Sequence, residues 1–144
     1  MGIKYIEAPD LQQRADEISR FMFPHVQLDK VKCFRSKGSS SRGTIARCHT
    51  IGKLMQKTIG CEPHYALEFI SERFDKMKDE EKTKVIIHEL MHIPFSFGGG
   101  FKHHDYVCDT NINTLYKKYM ISKGVNVNGL GNKFDNLGLP NWFK

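Results

Sequence analysis

Val85-Ile86-Ile87-His88-Glu89-Leu90-Met91-His92-Ile93-Pro94 decides how this chain is read. Upstream, Asp79-Glu80-Glu81 supplies an acidic first turn suited to the positive end of a helix. The spacing predicts a helix from there to Ile93, stopped by Pro94. On a helix, residues four apart project from one face about one turn apart. His88 and His92 therefore present two imidazole nitrogens to a single divalent ion. Glu89 points to the same side and suits a general base acting on a water that the ion activates. The HExxH pattern recurs by chance in unrelated helices, so its surroundings have to carry part of the argument.

Those surroundings describe one ordinary globular unit. A chain of 144 residues that is 40% apolar and 26% charged can bury a core without disulfide help. A single domain over 1–144 is expected, with 125–144 as an irregular tail rich in Gly and Asn. No apolar run approaches the length of a membrane span, and Met1 to Asp10 has no apolar core of a signal peptide. A cytoplasmic protein is the expectation. The cysteines, Cys33, Cys48, Cys61 and Cys108, form no CxxC pair. In a reducing compartment they read as small buried hydrophobes, against a second metal site using Cys48 and His49 or a disulfide.

The net charge of +6 is unevenly placed. Lys30, Lys32, Arg35, Lys37, Arg42, Arg47, Lys53 and Lys57 fall in a stretch with no acid. Such a region suits an anionic partner, nucleic acid included. A solvated basic face explains it as well, since no recognised nucleic-acid-binding motif accompanies it. Gly38 and Gly43 have the separation of a phosphate loop, but Thr44 stands where the lysine belongs.

Along the chain, Leu11, Ala15, Ile18, Phe21 and Met22 recur at helical spacing and predict a helix from about Asp10 to Phe21, ended by Pro24. His25 to Arg35 alternates as a strand, with an irregularity at Asp29-Lys30. Lys37 to Gly43 is a loop, and Thr44 to His49 a second short strand. Ile51 to Ile59 predicts a helix whose buried side is Leu54, Met55 and Ile59, closed by Gly60. His64 to Ser71 alternates and predicts a strand. Gly98-Gly99-Gly100 cannot hold a helix, so the chain turns there. A further helix is expected from about Asp105 to Ser122, with Val107, Leu115, Tyr119 and Met120 as its apolar contacts.

A catalytic zinc has three protein ligands and one open position. No glutamate follows Glu89 in the chain, and Gly98 stands where a histidine six residues past His92 would have to be. The downstream candidates for a third ligand are His103, His104, Asp105 and Asp109. Adjacent histidines point in different directions, so only one of His103 and His104 ligates with ease.

The stretch from Val85 to Pro94, followed by Gly98-Gly99-Gly100-Phe101-Lys102-His103-His104, resembles the small archaeal and phage zinc metallopeptidases. These are zincins similar in layout to the SprT and Spartan-like proteases. Phe34-Arg35-Ser36-Lys37-Gly38-Ser39 and Tyr65-Ala66-Leu67-Glu68-Phe69-Ile70 resemble the same family, so the likeness spans about residues 25 to 122. The resemblance implies an α+β fold: a zincin-like single domain in which a small mixed or antiparallel sheet packs against the HExxH helix and two or three further helices. It implies His104 as the third ligand, with His103 as the alternative. It also implies Zn²⁺ as cofactor and the strand at 64–71 as the partner of an extended peptide substrate.

The function expected is peptide hydrolysis, with Glu89 as catalytic base and His88, His92 and His104 as metal ligands. His103, Tyr106 and Arg42 are candidate contacts to substrate or oxyanion. Two other readings stay open. One is a Spartan-like protease acting on nucleic-acid-bound proteins through region 30–57. The other is a non-catalytic zinc-binding or adaptor protein. A structural zinc normally has four protein ligands, often cysteines, and has no use for a glutamate at position 89.

Overall fold

The computed structural model describes residues 2–124. Among these, four strands form one mixed sheet: β1 Lys4–Glu7, β2 Val31–Lys37, β3 Ala46–Thr50 and β4 Tyr65–Ile70, in the order β1-β2-β4-β3. The helices are α1 Pro9–Met22, α2 Lys53–Ile59, α3 Ser71–Phe74, α4 Asp79–Met91 and α5 Asp109–Ser122. The result is a small mixed α+β unit. The predicted tail lies outside the described residues.

β2 and β4 run parallel, with Val31 opposite Tyr65 and Ser36 opposite Ile70. β1 and β3 flank them in the antiparallel sense. One face of the sheet carries Val31, Cys33, Tyr65, Leu67 and Phe69 into a core shared with α1, α4 and α5. From α1 come Leu11, Ala15 and Ile18, at the spacing that predicted that helix. From α4 come Ile86, Ile87, Leu90 and Met91, each 0–1% exposed. Burying side chains of this kind contributes about 1.5–3 kcal/mol each. That burial, with the acidic first turn of Asp79, Glu80 and Glu81, accounts for α4, whose N-terminus has no side-chain cap.

The structure departs from the sequence reading at several elements. β4 lies between β2 and β3, so both its hydrogen-bonding edges are occupied and it cannot pair with a substrate strand as expected. Residues before Val31 are a turn and a 3-10 helix at Leu28–Lys30, so the irregularity at Asp29-Lys30 marks the start of the strand rather than a flaw within it. α2 has no buried residue. Its supposed inner side, Leu54, Met55 and Ile59, is 78%, 49% and 61% exposed. Gly60 does close α2, in the left-handed conformation at φ 78°. α5 begins four residues later than expected, because the chain around His104 to Tyr106 is a turn. β1 and α3 were not foreseen. β1 is exposed at all four residues and so carries no alternation, and α3 is only four residues long.

Candidate metal centre

α4 packs beside the edge strand β3 and against α5. The last turn of α4 opens into a cleft of about 300 Å³ lined by Ala46, Cys48, His88, Glu89, His92, Phe101, Lys102, His103 and His104, among others. Within it, one nitrogen from each of His88, His92 and His104 lies within 4.8 Å of the other two. The ring centroids are 5.1, 5.6 and 5.0 Å apart for the pairs 88–92, 88–104 and 92–104. Among the described residues this is the one group of three or more potential metal ligands so arranged. His103 lines the cleft but stands outside the group.

Two of the histidines come from one helix end and the third from the loop beyond it. His88 is in the last turn of α4, and His92 caps that helix. His104 arrives after a loop through Gly98, Gly99 and Gly100. That loop rejoins the helix end by two hydrogen bonds. Lys102 N–H donates to the His92 carbonyl at 2.8 Å, and His92 Nδ1 donates to the Lys102 carbonyl at 2.7 Å. A carbonyl can only accept, so the proton of His92 sits on Nδ1 and the lone pair on Nε2. Lys102 itself lies over the rings of Phe95 and Tyr106, 4.4 and 4.1 Å from their centroids.

The electrostatics suit a cation. Burial, then the neighbouring His92 and His104, pushes the His88 pKa down to about 4, and Asp109 at the start of α5 acts weakly the other way. Burial also lowers His92, against the Lys102 carbonyl, which supports its charged form. Neutral imidazoles keep their lone pairs for a metal. Glu89 is 5% exposed, its carboxyl is 3.8 Å from His88 Nε2, and burial raises its pKa to about 8. A cation at the histidines favours its ionised form. Three imidazoles grouped at a cleft fit the nitrogen donor set of a divalent transition ion.

β3 forms one wall of the cleft. The Ile45 carbonyl accepts from Ile70 N–H at 2.8 Å. Antiparallel alternation then turns the N–H and C=O groups of Ala46 and Cys48 toward the outer edge. Among the described residues no strand pairs with this outer edge, and it, rather than β4, is the strand edge beside the histidines.

The other expected residues lie elsewhere. Tyr106 lines a small cavity with Phe23, His25 and Phe95 on the far side of Lys102. Arg42 is exposed in the loop between β2 and β3. Cys48 faces the cleft, whereas His49, next to it on the strand, donates from Nε2 to Glu68 at 2.8 Å, so the two do not share a site. Burial raises the Glu68 carboxyl, but hydrogen bonds from Ser36 and His49 and the charge of Arg47 outweigh it, and its pKa falls below the usual value. All four cysteines are free. In the basic stretch, Lys30, Lys32, Arg35 and Arg47 are paired with Glu62, Glu7, Asp10 with Asp75, and Glu68 respectively. Lys37, Arg42, Lys53 and Lys57 are exposed. A larger cleft of about 720 Å³, lined in part by Leu28, Val31, Ile51 and Cys61, holds no comparable ligand group.

Among the described residues, no helix is long and apolar enough to cross a membrane. A family model described as "Putative phage metallopeptidase" matches residues 3–129. No curated protein and no solved structure matches the chain.

Proposed function

The chain belongs to the phage metallopeptidase family, and from that premise we propose that it is a zinc-dependent, zincin-type peptide hydrolase centred on His88, His92, His104 and Glu89. One observation carries the reading: three imidazoles grouped within 4.8 Å, with a buried carboxyl 3.8 Å from one of them. When bound, the ion polarises the scissile carbonyl and acidifies a water. Glu89, as carboxylate, takes a proton from the attacking water. The water oxygen bonds to the carbonyl carbon, and the proton passes from Glu89 to the leaving nitrogen as the C–N bond breaks. The Lys102 carbonyl holds the His92 ring in one tautomer and one orientation. An extended peptide pairs with the outer edge of β3 through Ala46 and Cys48, which fixes its register against Glu89. His103, which lines the cleft, donates to the substrate carbonyl oxygen in this reading.

The test is Glu89→Gln, compared with wild type at equal metal content on a range of unfolded protein substrates. The variant should cleave at least about 100-fold more slowly, the scale of general-base loss. Equal cleavage by both would show that Glu89 is not the base.

A further inference from the structure

The loop between His92 and His104 is tied at its ends by the bonds of Phe97 N–H to the Pro94 carbonyl and of Lys102 N–H to the His92 carbonyl, and its glycine stretch is held by side chains. Phe97 sits at φ 48° and Gly99 at φ 104°, in the left-handed region that a phenylalanine adopts only when its surroundings enforce it. A Cβ on Gly99 would lie 2.5 Å from Gln56 Nε2 and 2.7 Å from the Ile51 carbonyl, so the loop is pressed against the start of α2. Side chains from three other elements hold its backbone. Gln56 Nε2 donates to the Gly98 carbonyl at 3.1 Å, and Thr50 Oγ1 donates to the Gly99 carbonyl at 3.1 Å.

Tyr65 makes two such bonds. Its hydroxyl donates to the Gly100 carbonyl at 2.8 Å and accepts from the Gly99 N–H at 3.0 Å. The residue is 2% exposed, and its ring lies against Phe97 and Phe101, at centroid separations of 5.0 and 6.4 Å. Tyr65 is the first residue of β4, the strand paired on both sides, so the core sets its position and the loop conforms to it.

We propose that Tyr65 is a positioning residue of the metal centre. Through Gly99 and Gly100 it fixes where Lys102 meets His92 and where His104 closes on the ion. The inference rests on reading His88, His92 and His104 as ligands. The hydrogen bonds of Tyr65 go to the loop backbone at Gly99 and Gly100, and it acts through them. Phenylalanine at this position keeps the ring packing and removes both hydrogen bonds. The loop then loses its tie to the core, and the third imidazole is less well placed.

Co²⁺ titration of the metal-free full-length protein, in competition with a chelator and followed by the visible d–d spectrum, tests this. Wild type should bind one ion tightly, and His104→Ala should lose that binding. These two arms test the ligand reading by itself, and a wild type that takes up no Co²⁺ overturns that reading together with this inference. Tyr65→Phe should raise the dissociation constant about 10- to 100-fold, the range for residues supporting a metal ligand, and should alter the d–d bands. Thr50→Val should shift both in the same direction. A folded Tyr65→Phe with wild-type affinity and spectrum overturns the proposal, even if its thermal midpoint falls, because its role is then packing alone. If Tyr65→Phe does not fold, unchanged affinity and spectrum in Thr50→Val overturn it.

Discussion

Glu89 and Gly99 show two ways in which single residues define this site. Glu89 is a largely buried carboxyl on the wall of the cleft, so its charge depends on what sits beside it. Gly99 is a backbone position that leaves no room for a side chain. Replacing Gly99 by Ala should destabilise the protein by at least about 1–2 kcal/mol, the cost of left-handed backbone with a Cβ, with displacement of Gln56 added. Urea unfolding measures this, and wild-type stability would mean the loop relaxes without strain. At this scale the motif was legible because four-residue spacing on a helix is local geometry. The choice between His103 and His104 was not, since neighbouring residues separate only once the path of the glycine loop is known. Tyr65, Thr50 and Gln56 gave no signal, because their partners are backbone atoms 35, 49 and 42 residues away.

α4 and α2 show how far periodicity reaches at the scale of an element. α4 was legible as a helix from its acidic start, its apolar run and Pro94. Leu90 is fully buried on it, two residues from His92. Leu90→Ala should cost about 2–5 kcal/mol, the range for emptying a packed leucine site. A loss under 1 kcal/mol, on the order of a surface change, would show that α4 is not packed as described. α2 was legible as a helix, but the side expected to be buried is the side in water, because nothing in the described chain packs on it. Leu54→Ser should therefore change stability by no more than about 0.5 kcal/mol. A larger loss in the same urea series would mean that Leu54 is covered. Whether β3 or β4 carries the free edge depends on strand order, which the pattern of a single strand does not contain.

Long-range ion pairs join these elements into one body. Arg35 on β2 bonds Asp10 on α1 at 2.7 and 2.8 Å, and Asp75 beyond α3 at 2.9 Å. The hydrogen bonds from Arg35 hold the Asp10 carboxyl at a pKa of about 2, against about 3.9 in an unfolded chain. A carboxyl lowered on folding adds stability above the unfolded value and loses it as pH falls through the folded one. This contribution should be complete above about pH 4 and disappear toward pH 2. Asp10→Asn should flatten the pH dependence of unfolding in that window. An unchanged slope would remove Asp10 from the acid response. Asp10 is largely exposed, so solvent screening keeps the effect small. For the whole molecule, the α+β class and a small sheet against the motif helix were legible from the family resemblance, but the choice between a mixed and an antiparallel sheet was open until the strand order was known. Half of the basic stretch turned out to be engaged with acids distant in sequence, which a count of charges does not reveal.

Two histidines from the end of α4 and one from beyond the glycine loop hold one catalytic ion in the proposed function. Zn²⁺ titration by calorimetry on the metal-free protein and its histidine variants tests it most directly. One ion per chain should bind in wild type and in His103→Ala, and binding should weaken by orders of magnitude in His88→Ala, His92→Ala and His104→Ala. Retention of wild-type affinity in His104→Ala, or a wild type that binds no zinc, would contradict the account.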